Sequence, residues 1–155
     1  MDGIFWVNVL MRWLHVASAV VGVGATLMMR FAVLPALERL PNGGEILDAL
    51  RPGVKRLIHG ALGLLFVTGF YNFIMVAVPR AREVRDAAGP AAERLVAYHP
   101  VMGMKILLSL VLFGIAVALL QPVPSFHAKR KTWLTVNSIL GLVILLLAAF
   151  LRRLW

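Results

Sequence analysis

Cysteine does not occur among the 155 residues, which removes disulfides, thiolate metal sites and cysteine nucleophiles together. Any bound metal or cofactor must therefore be held by His, Met, Lys, Tyr or a carboxylate. Charge is nearly as scarce: charged residues make up 15% of the chain, against about a quarter in a soluble domain, and only 7 residues are acidic. Strand-like alternation and long internal repeats are missing as well. In their place stand an apolar content of 61% and a mean hydropathy of +0.86. One bilayer span uses about 20 residues, so about three to five spans exhaust the apolar residues and leave no soluble domain of ordinary size. The composition reads as an all-α integral membrane protein with a single transmembrane domain over residues 1–155.

The 16 basic residues leave a net charge of +9, and most of that surplus sits in loops and at the C-terminus, beside apolar segments. That placement suits anchoring to anionic lipid headgroups and argues against nucleic-acid binding. The N-terminus lacks the basic leader of a signal peptide and carries Arg12 and His15 inside its apolar stretch, so it is expected to be a retained first span.

Four spans are expected, at about 4–37, 57–78, 98–121 and 133–151. A polar connector from Glu38 to Gly53 separates the first two, and Pro79 closes the second. A charged connector from Arg80 to Arg94 follows, broken at Gly89-Pro90, and Pro100 suits the first turn of the third helix because its missing N–H has no partner there. Four spans make an antiparallel four-helix bundle with both termini on one side, here side A. Trp6, Tyr98 and Trp155 then fall at the side A interface and Trp133 at side B. Loop Lys and Arg number six on side A and seven on side B, which leaves the cytoplasmic side open.

On the first span Asn8, Arg12, His15, Gly22, Thr26 and Met29 share one narrow helical face. Ionisable groups at that depth cost several kcal/mol unless they meet partners or water, so the stripe should point into the bundle. It reads either as an interhelical hydrogen-bonding seam or as a ligand site. With Ala19, Thr68, Leu110 and Leu142 as span centres, His15 and Lys105 both lie about 6 to 8 Å toward side A, level with Tyr71 and Asn72. His99 falls about 16 Å toward side A. His59 falls about 13 Å toward side B, beside Met28, Met29 and Arg30. His127 is further out, in the side B loop.

Two axial ligands of one haem must lie at similar depth, and His15 with His59 misses this by about 19 Å. The partners open to His15 are Lys105, Met102, Met104 and, with tilt, His99. A second site would combine His59 with His127 or a methionine. Gly22, Gly60, Gly63 and Gly103 offer either room for a flat macrocycle or close helix packing. Lys105 either snorkels toward side A or lies inside the bundle as a charge partner, ligand or proton-transfer group. The methionines either fill gaps or bind Cu(I). Arg30 and His59 are expected close together near side B.

The segments Trp13-Leu14-His15-Val16-Ala17, Arg30-Phe31, Leu34-Pro35, His59-Gly60-x-x-Gly63, Thr68-Gly69 and Tyr98-His99-Pro100-x-Met102-x-x-Lys105 resemble the group of small membrane proteins that contains the copper-resistance D family and the HemJ-type protoporphyrinogen oxidases. The HemJ-type resemblance implies bound haem b and functional roles for His15 and Lys105. The copper-resistance resemblance implies metal handling by His15, His59 and the methionine pairs. Three functions follow as expectations. The first is a haem b redox protein, either an electron carrier or a porphyrinogen oxidase-like enzyme, with His15, His99 and His59 as candidate iron ligands, Lys105 as catalytic candidate or ligand, and Arg12 or Arg30 neutralising the propionates. The second is a copper transporter, and the third a ligand-free structural subunit. Expected partners are the lipid bilayer, a redox partner or quinone, and, where it oligomerises, a second copy of the chain.

Overall fold

The computed structural model describes residues 3–86, 90–121 and 129–154, so Gly89, Pro122, His127 and Trp155 lie outside the described residues. Every regular element among the described residues is helical. In chain order these are α1 (Gly3–Met28), a π turn (Met29–Val33), α2 (Leu34–Leu37), α3 (Gly43–Asn72), a second π turn (Phe73–Ala77), α4 (Val78–Asp86), α5 (Pro90–Leu120) and α6 (Arg130–Leu154). Four stretches are long and apolar enough to cross a membrane: Gly3–Leu37, Gly43–Glu83, Tyr98–Leu120 and Arg130–Arg153.

The helices run further than hydropathy alone suggests. Pro79 does not close the second helix, and Pro35 does not end the first; each follows a π turn by two residues. A proline ring clashes with the carbonyl four residues earlier, here Phe31 and Met75, and both carbonyls sit inside a widened turn that relieves the clash. The polar stretch Glu38 to Gly53 is likewise mostly helix, with only residues 38–42 left as a turn. Its helical part is amphipathic. Leu47 and Val54, seven residues apart, pack on a cluster of Met29, Leu34 and Leu134, which gives a charged segment an apolar face to bury. Gly43 is required there, since a Cβ would lie 1.9 Å from the Leu37 carbonyl oxygen. Pro100, expected in a first turn, lies well inside α5, and Pro90 takes the first position instead.

Burial is inverted relative to a soluble core. The deepest side chains are polar, Thr68 at 1%, Ser138 at 2% and Asn137 at 3% exposure, whereas Val20, Phe66 and Leu146 are each about 60% exposed or more. Interhelical hydrogen bonds run through the middle. Asn8 accepts from the Tyr71 hydroxyl at 3.0 Å, and Asn72 donates to the Met11 carbonyl at 3.5 Å. Asn137 donates to Thr26 at 3.5 Å, Arg30 donates to Thr135 at 2.7 Å, and Lys131 pairs with Glu38 at 2.7 Å.

Candidate functional site

His15 lies half-buried on α1 with its ring against α3. Its Nδ1 is 3.1 Å from the Thr68 hydroxyl oxygen. Thr68 gives its single hydroxyl proton to the Leu64 carbonyl, one turn back on its own helix. The oxygen can therefore only accept from His15, so Nδ1 carries the proton and, in the neutral ring, the lone pair sits on Nε2. Gly69 completes the seat: a Cβ there would lie 3.1 Å from His15 Cε1, tight enough that the ring would have to shift by a few tenths of an ångström. Lys105 is half-buried on α5.

The same wiring occurs twice more. Thr26 donates to the Gly22 carbonyl and accepts from Asn137, while Thr135 donates to the Lys131 carbonyl and accepts from Arg30. A threonine bonded back onto its own helix becomes a fixed acceptor, and each of these meets a donor from another helix. The Oδ1 of Asn137 is buried and finds no hydrogen-bond partner among the described residues.

The other residues singled out from the sequence fall in separate places. Arg12 is exposed, off the inward face: at about 100° per residue it lies about 60° round the helix from His15, on the edge of the stripe. Arg30 is held by Thr135 and lies over the Phe31 ring at 5.2 Å. His59 is exposed, with Nδ1 2.7 Å from the Lys55 carbonyl of its own helix. Arg30 and His59 thus have different partners, on α6 and α3 respectively. His99 is exposed and edge-on to Tyr98, with ring centroids 6.0 Å apart. It borders a groove of about 340 Å³ with Met102 and Gly103, which His15 does not line. A Cβ at Gly60, Gly63 or Gly103 would meet nothing within 4 Å, and one at Gly22 would just touch Leu65. Among the described residues no group of three or more His, Asp or Glu could hold a metal ion.

Sequence reasoning gave no role to Asn137, Ser138 or Thr135, and none to Thr68 or Gly69 as supports of His15. A usable signal was present, since each interrupts an apolar run and Thr68 adjoins Gly69. No family model, no curated protein and no solved structure matches this chain.

Proposed function

We propose that the chain is an integral membrane protein of four antiparallel spans, with both termini on one side, that binds haem b through His15 and serves as a redox protein. The antiparallel reading rests on how the pairings step along the helices. From Asn8 with Tyr71 to His15 with Thr68 the α1 number rises as the α3 number falls. From Thr26 with Asn137 through Arg30 with Thr135 to Glu38 with Lys131 the same holds for the last helix. Membrane insertion is supported by apolar outer faces around a polar centre, the distribution that lipid favours.

The observation that carries the haem reading is the His15 to Thr68 bond. A ligating histidine ordinarily donates its other ring nitrogen to an acceptor, and that acceptor fixes the tautomer and the ring orientation. Thr68 does this for Nδ1 and leaves Nε2 to the iron. Gly69 lets the imidazole lie directly against α3. Lys105 would serve as a second ligand or as the charge that neutralises a propionate. Arg12, one turn from His15, suits the propionates better than Arg30, which lies about 22 Å further along the helix. His99 and His59 stand apart from this group. Haem b supplies one-electron redox chemistry; the chain supplies ligation, orientation and a low-dielectric setting.

Purified protein should be red with a Soret band, and His15→Ala should abolish it. A colourless preparation holding stoichiometric copper would instead support the transport reading. A full wild-type spectrum in His15→Ala would overturn the assignment of His15.

A further inference from the structure

The groove of about 340 Å³ lies between the Phe73–Ala77 π turn with α4 on one side and the segment of α5 from Tyr98 to Ile106 on the other. Its volume is at the lower end of the range of about 300–1,000 Å³ for small-molecule sites. Phe73, Ala77 and Gly103 make an apolar, low-relief lining, and Gly103 contributes no side chain. Arg82 and His99 border the same groove, both exposed and both near the ends of their apolar stretches. The His99 ring stands edge-on to Tyr98, at an interplanar angle of 76°. π turns recur at functional sites, and this one supplies two of the lining residues.

We infer that this groove binds the head ring of a quinone. The reading stands independently of haem at His15; it places the quinone considered from the sequence at a site of its own. Arg82 presents only donors and His99 can present one, so the two ask for acceptor oxygens on the ligand. The lining beneath them is apolar and, at Ala77 and Gly103, small, which suits a flat ring. A quinone combines that ring with two carbonyl acceptors and an apolar tail that can leave toward lipid. A phospholipid fits less well: its phosphate calls for grouped cations, and Arg82 is the only Lys or Arg that lines the groove among the described residues.

The test is saturation binding of ubiquinone-1 to the purified full chain in detergent, measured by equilibrium dialysis so that the quinone itself is read. Gly103→Leu fills the groove without an initial clash, because a Cβ there meets nothing within 4 Å. Gly24→Leu, equally open and on α1, is the matched control. Saturable wild-type binding is expected, with affinity lowered about tenfold or more in Gly103→Leu and in His99→Leu and unchanged in Gly24→Leu. Absence of saturable binding, wild-type affinity in Gly103→Leu, or equal loss in all three variants would overturn the site. Displacement by equimolar phosphatidylglycerol would overturn the quinone in favour of a lipid. Because haem plays no part in the readout, failure of the haem assignment leaves this result intact.

Discussion

The Thr68 hydroxyl accepts from His15 Nδ1 at 3.1 Å while its own proton goes to the Leu64 carbonyl. One oxygen thus ties α1 to α3 and decides which imidazole nitrogen keeps its lone pair. Thr68 is 1% exposed, so losing it strands a donor where water cannot easily replace it.

Thr68→Val keeps the shape and removes the acceptor. It should destabilise the protein by about 1–3 kcal/mol, the cost of leaving a buried donor unsatisfied, and Thr68→Ser should recover most of that. Equilibrium unfolding in detergent measures both. In protein that holds haem, Thr68→Val should also weaken retention of the cofactor, because the hydrogen-bond acceptor behind a ligating histidine typically contributes about 10- to 100-fold in affinity.

Gly69→Val should push the His15 ring off its seat. The first added carbon already lies 3.1 Å from Cε1 and 3.5 Å from Nδ1, and valine adds two methyl groups beyond it. Overpacking of this kind costs about 1–3 kcal/mol. Gly24→Val, where a Cβ meets nothing within 4 Å, should be far milder in the same unfolding assay.

The absence of native cysteine makes helix pairing directly testable. Thr26→Cys with Asn137→Cys places two thiols at an existing side-chain contact between α1 and α6 and should crosslink on mild oxidation. Thr26→Cys with Thr68→Cys should not, since Thr68 faces His15, which is 11 residues or about 16 Å along α1 from Thr26. Electrophoretic mobility with and without reductant reads both pairs, and the reverse pattern would refute these helix pairings.

The Glu38 to Lys131 ion pair is short, at 2.7 Å, but both side chains are about half exposed. It should contribute less than about 1 kcal/mol and fade with salt. A double-mutant cycle with Glu38→Gln and Lys131→Met, run at low and high ionic strength, measures that coupling.

Local periodicity and hydropathy determine a good deal of this protein by themselves. The four apolar helices and a polar stripe on the first are legible because each depends only on residue order within one helix. The expectation that His15 shares a level with Lys105, Tyr71 and Asn72 used a constant rise per residue; the pairings instead set Thr68 at His15, Tyr71 at Asn8 and Asn72 at Met11. Other features required the tertiary structure. Helix begins at Gly43, inside the polar stretch, and continues past Pro35 and Pro79 because a packing partner and a widened turn offset what is locally unfavourable. Arg12 turns outward because a stripe has edges, and the neighbouring helices decide which part of its width they cover. Which polar residue of α3 meets His15 depends on how α3 is shifted and rotated against α1, which placed Thr68 and Gly69 against the ring and left Tyr71 to Asn8. His99 fell into a groove with Arg82 for the same reason. Rise is additive along one helix and can be summed from sequence, whereas the relative shift and rotation of two helices are set only when they pack.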